Sequence, residues 1–481
     1  RFGTTRPTVP LIDSPTIACG NALRLDWRDV LPPEQCSYVL GNPPFTGYTY
    51  QTAEQKSDME LIFGKLKGAG VLDYVACWYA KAASYIHANP SVEVAFVSTN
   101  SITQGEQVAI LWGHLLAQGI RIRFAHSTFQ WNNEGSGIAA VHCVIVGFDL
   151  NEPKQRAIFD YGDNIKGEPV AIAARNINPY LVDAPTVLLD KRRAPICAAP
   201  EMTKGSQPTD GGNLLLSDAE KQALLQAEPQ AKKWIRPFLG ADEFINNIPR
   251  WCLWLKGIAP TELRAMPQVM KRVEAVKTMR LVSTKAATVE LASTPTLFGE
   301  DRQTDQPYLL IPSVSSENRK FIPIGYMQPK VIASNLVFML PNATLYHFGI
   351  LCSTMHNAWM RTVCGRLKSD YRYSNTIVYN NFPWPDATDK QRQAIEATAR
   401  AVLDARAQFP TATLADLYDP LAMPPELSKA HQALDRAVDA AYGKKSFVSE
   451  AERVALLFER YRQLTSLLPA TPPKKSRKRS I

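Results

Sequence analysis

A short apolar run that stops on Gly41-Asn42-Pro43-Pro44-Phe45 constrains this chain more than any other feature. Ser37-Tyr38-Val39-Leu40 reads as a strand. Two successive prolines fix φ and remove two backbone donors, so the strand cannot run through them. The result is a stiff loop at a strand's carboxyl end, where open α/β sheets bind their ligands. A helix is predicted from Leu72 to Ile86, with Leu72, Val75, Ala76, Tyr79 and Ala83 on one face. Apolar strands are expected at 92–98 and 120–125, and a β-branched run at 138–148. Asn132, Asn133, Glu134 and Gly135 are turn formers that join the last two as a hairpin. Strand, helix, strand and terminal hairpin predict an α/β fold over 1–150, the C-terminal half of a sheet domain.

Beyond 150 the pattern changes. Prolines become frequent and periodicity fades through 151–385, with a loop at 199–213 and short strands at 307–312, 321–326 and 331–339. This stretch is read as a mixed α+β, loop-rich domain. From 386 to 470 the chain is read as helical. Gln391–Ala407 is rich in Ala, Arg and Glu, and Leu427, His431, Leu434, Val438 and Tyr442 line a second helix that Gly443 closes. A third helix starts at Ser449, with Glu452 completing a capping box. Residues 471–481 are expected to be a disordered basic tail.

The chain has 481 residues, with 54 Lys and Arg against 45 Asp and Glu, a net charge of +9. Five of these charges are Lys474, Lys475, Arg477, Lys478 and Arg479, which leaves only +4 on the body. That balance permits a phosphate-rich partner without requiring one. No stretch reaches the ~18 consecutive apolar residues of a membrane span. The eight cysteines are scattered without C-x-x-C spacing, which argues against structural zinc and fits a reducing cytoplasm. The first residue is Arg1 rather than Met, which is read as a cut edge.

The proline loop suggests a specific chemistry. An exocyclic aromatic amine is a poor nucleophile because its lone pair is delocalised into the ring. Two fixed acceptors that take both of its N–H bonds pull the nitrogen toward tetrahedral geometry. Asn42 offers a side-chain carbonyl and Pro43 a backbone carbonyl, aimed where charge develops. Pro44 stiffens the loop, and the ring of Phe45 offers a flat face for a base. Asn-Pro also starts plain turns, but its place between strand and helix favours the chemical role.

On these residues the chain resembles the class I, gamma-type amino-methyltransferases, and most of all the MmeI-like (type IIL) restriction–modification family and its methyltransferase-only relatives. The resemblance runs over nearly the whole chain. It is carried by Gly20-Asn21-Ala22-Leu23 with Asp26-Trp27, by Gly41–Phe45 with Gly47, and by Leu72–Val75 through Trp78-Tyr79. It continues in Phe129-Gln130-Trp131 before Ala139–His142, Gly205–Pro208, Trp251–Trp254, Tyr371–Ser374, Tyr379–Pro385, and Leu434–Asp439 with Ala441–Gly443.

The resemblance implies the C-terminal half of a class I, Rossmann-like methyltransferase sheet, then a target recognition domain and a helical C-terminal segment. It implies methyl transfer from S-adenosylmethionine to the N6 amine of an adenine flipped out of double-stranded DNA. No metal is expected for that step. Asn42, Pro43, Pro44 and Phe45 would be catalytic, Phe45 and Phe129 would stack on the base (with Trp131 as substitute for Phe129), and Asn21, Ala22 and Asn42 would touch the cofactor. The family's glycine-rich turn and the acidic residue after it do not precede Gly20. Nor is the nuclease of the restriction members present. The expectation is therefore a truncated chain, or one fragment that works beside an upstream cofactor-binding or nuclease polypeptide. Two alternatives stand: a DNA-recognition fragment with no activity alone, and a release-factor glutamine methyltransferase, which lacks a region like 151–385.

Basic and aromatic residues interleave at Arg366, Lys368, Tyr371, Arg372 and Tyr373, a mixture suited to phosphates and bases. Arg319 and Lys320 are further candidates for DNA. His126 and His142, near Cys143, are weighed as metal ligands and read instead as ordinary strand residues.

Overall fold

The computed structural model describes residues 15–131, 141–162, 164–367 and 369–466. It divides into two compact units. One runs to Leu188 without Gln104–Glu106, and the other holds those three residues and everything from Leu189.

The first unit is built on β1 (Tyr38–Gly41), β2 (Glu93–Thr99), β3 (Arg121–Trp131), β4 (Val141–Asp149), β5 (Arg156–Asp160) and β6 (Val170–Ala174), in one sheet of order β1-β2-β4-β3-β5-β6. β1 runs parallel to β2, and β3 and β4 form the expected antiparallel pair. The turn residues Asn132–Gly135 lie outside the described residues. The boundary expected at 150 falls inside this sheet. β5 pairs parallel with β3 and β6 antiparallel with β5, so the proline-bearing stretch after Asp149 is a short link rather than a domain edge.

The helices are α1 (Trp27–Val30), α2 (Ala53–Phe63), α3 (Ala76–Ile86) and α4 (Gly105–Ala117). α3 begins four residues later than its apolar spacing predicts, because Leu72 is extended and the Asp73 backbone N–H is taken by the side chain of Gln107. Its anchor is Tyr79. That fully buried ring stacks on Phe148 at 5.4 Å and stands edge-on to Phe96 and Trp112, with its hydroxyl 2.8 Å from Ser98 Oγ. β3 slips register twice against β4, and Phe124 lies over Gly147, where any Cβ would come within 2.1 Å of the ring.

Among its described residues the second unit carries three small sheets. β7 is Thr203–Lys204, β8 Leu215–Ser217, β9 Ile235–Leu239, β10 Arg250–Leu253, β11 Tyr308–Pro312, β12 Val314–Ser315, β13 Gly325–Met327, β14 Ile332–Ala333, β15 Val337–Pro341, β16 Gly365–Leu367 and β17 Asp370–Arg372. The orders are β14-β9-β10-β8, β13-β11-β15-β7 and β12-β17-β16. The stretch 199–213, expected as loop, contributes β7, and Gly205 lies so close to the Ala333 and Ser334 carbonyls that a Cβ would meet them at 2.3–2.5 Å. Only the end of the strand expected at 321–326 joins a ladder. Phe321 stacks on His431 at 4.0 Å, and the Ile322 N–H donates to the Asn357 side chain. The strand expected at 331–339 is broken between β14 and β15.

Among the described residues four helices follow Asp386: Asp389–Ala407, the short Leu414–Leu417, Pro425–Ala441 and Glu450–Thr465. Ser449 caps the last by accepting from the Glu452 N–H. The Glu452 carboxylate returns to the Val448 N–H rather than to that of Ser449, so the expected box is half formed.

Two histidines are sealed in this unit. His356 Nε2 meets the Tyr373 hydroxyl at 2.9 Å, and His431 Nε2 meets that of Tyr418 at 2.9 Å. Nδ1 of each has no hydrogen-bond partner among the described residues. Burial pushes His356 down to about 3, and burial with Arg406 and Lys320 nearby drives His431 well below the usual range. Both pKa values are depressed on folding, so the unfolded chain binds more protons. The stability they confer is complete above ~6.5 and is lost as pH falls below it. Urea unfolding is therefore expected to show a loss of roughly 2–3 kcal/mol between pH 7 and 5.5, at about 1.4 kcal/mol per pH unit for each histidine. A flat profile over that interval would mean that both rings accept protons without disturbing the fold.

Candidate active site

β1 delivers Gly41 to the end of the sheet, where its backbone lies against Phe96; a Cβ there would sit 3.2 Å from the ring. The chain then turns outward. Pro43 is buried, Asn42 and Pro44 are exposed, and Phe45 is half-buried. A cavity of about 340 Å³ opens at this point, lined by Asn42, Pro43, Pro44, Trp27, Trp78 and Phe96 together with β1 itself. The Asn42 carboxamide has no hydrogen-bond partner among the described residues, so its oxygen is free to accept from a ligand.

The exit of the loop is fixed. The Thr46 carbonyl accepts from the Tyr74 N–H at 2.9 Å, and the Tyr48 N–H donates to the Asp73 carboxylate at 3.0 Å. Asp73 is also held by the Ser101 hydroxyl. The loop is thus stiffened by proline in its middle and by a buried carboxylate at its end.

Asn21 and Ala22 serve a turn beneath one wall. Asn21 Oδ1 accepts from the Leu23 N–H, and its Nδ2 donates to Asp58 at 2.9 Å. Burial opposes the charge on Asp58, but hydrogen bonds from Tyr74, Asn21 and Arg24 hold its carboxyl below the ordinary value. The Ala22 carbonyl accepts from Trp27 Nε1 at 2.8 Å, and that indole lines the cavity. The cavity wall is therefore Trp27, not Asn21 or Ala22. Trp27 and Trp78 escaped sequence reasoning as site residues; their only signal was their place in the stretches that carry the family resemblance.

Phe129 is half-buried on β3 and stacks on Tyr161 at 5.2 Å, while Trp131, two residues on, is 40% exposed. His126 meets the Tyr161 hydroxyl at 3.0 Å and stacks on Phe159, and burial lowers its pKa.

The basic and aromatic set of the second unit is divided by strand alternation. Tyr371 and Tyr373 point inward and are buried, Tyr373 on His356, while Arg372 between them is exposed. The expectation that these two rings stack on bases is corrected: period-2 geometry turns both into the core. Arg366 lies 4.0 Å over the Tyr371 ring and donates to the Ser369 carbonyl. Lys320 is exposed, and Arg319 is half-buried with its pKa lowered by burial. Lys368 lies outside the described residues.

Family models for the DNA-methyltransferase domain, the target recognition domain and the C-terminal domain of MmeI match residues 1–160, 183–386 and 387–469 in that order. DNA methyltransferase A of Bacillus subtilis (strain 168) is 40% identical over 96% of the chain. The structure of the type IIL restriction-modification enzyme MmeI in complex with DNA is 53% identical over 97% of the chain, with a TM-score of 0.86. The chain belongs to the MmeI family. It spans 52% of the length of the Bacillus relative and 62% of the MmeI chain.

Proposed function

We propose that this chain carries the catalytic loop and the recognition domain of an adenine-N6 DNA methyltransferase. The observation that carries the reading is the Asn42 carboxamide, without a hydrogen-bond partner among the described residues, at the mouth of the Trp27–Trp78 cavity on a loop stiffened by proline and fixed at its exit. Asn42 Oδ1 and the Pro43 carbonyl accept the two N–H bonds of the target amine. The half-buried ring of Phe45 offers the base a face, and Phe129 or Trp131 offers a second. S-adenosylmethionine, when bound, supplies an electrophilic methyl group. Three aromatic walls and an amide fit a flat heterocycle, and these residues would hold it. Among the described residues the lining includes no carboxylate for ribose hydroxyls. Arg372, Lys320, Arg319 and Arg366 are assigned to phosphates or base edges of duplex DNA.

A specific observation favours a second reading. Among the described residues β1 pairs with β2 alone, and Tyr38 and Leu40 on it are 65% and 73% exposed. A sheet open at the strand that bears the catalytic loop suits a chain that completes its cofactor site with a separate part. Calorimetry with S-adenosylmethionine, followed by nucleoside analysis of DNA incubated with methyl-labelled cofactor, separates the two. Labelled N6-methyldeoxyadenosine from the chain alone is the expected product of the first reading. Absence of cofactor binding would establish the second, and label on cytosine would overturn the choice of adenine.

A further inference from the structure

The second unit contains a larger cleft, of about 810 Å³, whose lining shares no residue with the cavity at the proline loop. One wall takes Arg236 from β9, with Trp234 just before that strand and Trp254 just after β10. Cys252 pairs with Arg236 across these strands, and the Trp254 N–H donates to the Trp234 carbonyl at 2.7 Å. Arg236 and Phe238 lie two apart on β9 and share a face. At the Phe238 end the face is core: Phe238, Cys252 and Ile332 are all buried. At the other end it opens, and Trp234, Arg236 and Trp254 line the cleft with Lys256, Lys330 and Asp305.

The charges there are unequal in their commitments. Lys256 is bound to Asp301 at 2.7 Å and lies within the field of Asp305. The Trp234 indole N–H is spent on Glu262. Arg236 and Lys330 make no ion pair or hydrogen bond through their side chains among the described residues. A half-buried guanidinium that lines an open cleft and has no internal acceptor among the described residues is available for a charge-assisted bond to an external anion. Indoles beside it supply flat apolar surface for a sugar or base.

We propose that this cleft is a backbone contact for duplex DNA, with Arg236 and Lys330 each neutralising a phosphate and the indoles packing on the adjoining sugars. The proposal rests on the reading that the chain binds DNA. It adds a sequence-independent contact that fixes register on the duplex and reads no base.

The test uses a random-sequence duplex, so the target site need not be known. Binding of the full chain is titrated across salt concentrations for the wild type, for Arg236→Gln/Lys330→Gln, and for Lys390→Gln/Lys429→Gln. The last pair removes the same charge from exposed positions on the C-terminal helices. Each lost phosphate contact makes the slope of log K against log salt shallower by about 0.9, so the cleft variant is expected to lose about 1.8 from its slope. The helix variant is expected to keep the wild-type slope. The cleft variant should melt with the wild type, since neither side chain holds an internal partner. An unchanged slope in the cleft variant, or an equal change in both variants, overturns the proposal while leaving DNA binding intact. A wild-type chain that fails to bind the duplex removes the reading on which it rests. Deoxyadenosine monophosphate that competes in the cleft while duplex does not would also overturn it, in favour of a free nucleotide.

Discussion

Replacing Asn42 by alanine is expected to cut methyl transfer to DNA by about 10²–10³-fold or more, the cost of removing one preorganised group aimed at developing charge. The loss should fall on kcat, because the acceptor matters most once the amine nitrogen gains positive character. DNA affinity and melting temperature should stay near wild type. Asn42 is exposed, lines the cavity, and its carboxamide supports nothing internal among the described residues. The loop keeps its shape through Pro43 and Pro44 and through the bonds of Thr46 and Tyr48 to Tyr74 and Asp73. Asn42→Asp retains an acceptor oxygen and is expected to lie between wild type and alanine. Single-turnover transfer of labelled methyl to DNA checks this. Unchanged turnover in the alanine variant would sink the assignment of Asn42 and, with it, the chemical role of the loop.

The catalytic loop was legible because its signals are local. Proline restricts φ wherever it stands, and an apolar strand before Gly41 can be read without knowing its neighbours. Helix α3 was legible to within a turn for the same reason. Its start was misplaced because Asp73 serves the loop exit near Tyr48 rather than a helical turn, a long-range bond that periodicity does not contain. The same limit explains Tyr371 and Tyr373. As a string they interleave with basic residues and look like a binding surface. As a strand they alternate with Arg372, and pairing with β12 and β16 decides which side is core. Trp27 was invisible as a site residue because its place depends on the Ala22 carbonyl and on a sheet that brings Phe96 opposite. The link after Asp149 carries a proline and charges, so composition read it as a boundary, whereas β5 and β6 extend the same sheet.

Arg280 is the position where a single change should cost the fold most. It is fully buried near the end of the helix Pro267–Leu281, where a cation is favoured by the helix dipole. Its guanidinium donates to five backbone carbonyls, those of Pro208, Thr209, Leu291, Thr294 and Leu297, at 2.8–3.0 Å. No carboxylate bonds it among the described residues. Burial lowers its pKa, and the nearby charge of Asp210 acts in the opposite sense. One of its acceptors, Thr209, holds φ at 49°, a left-handed conformation that a threonine adopts only when its surroundings enforce it. Arg280 therefore ties Pro208 and Thr209 to the segment 291–297, two stretches that are otherwise hydrogen-bonded, among the described residues, through the short bridge at Gln207 and Glu300. Arg280→Met keeps the bulk but leaves the Thr209 and Leu297 carbonyls without a donor among the described residues, while those of Pro208, Leu291 and Thr294 each keep a backbone N–H. With the three weakened carbonyls added, it is expected to destabilise the chain by roughly 3–5 kcal/mol, the scale of leaving two or more buried acceptors unsatisfied. Arg280→Lys keeps the charge but offers three donors in place of the fork, so it should recover only part of that loss. Urea unfolding followed by circular dichroism measures both. Because Arg280 is sealed from solvent, DNA affinity per folded molecule should not change, and any loss of binding should track the unfolded fraction. A methionine variant within 1 kcal/mol of wild type, on the roughly 3–5 kcal/mol scale expected, would mean that water replaces the guanidinium at these carbonyls and that the two stretches are held by their apolar contacts instead.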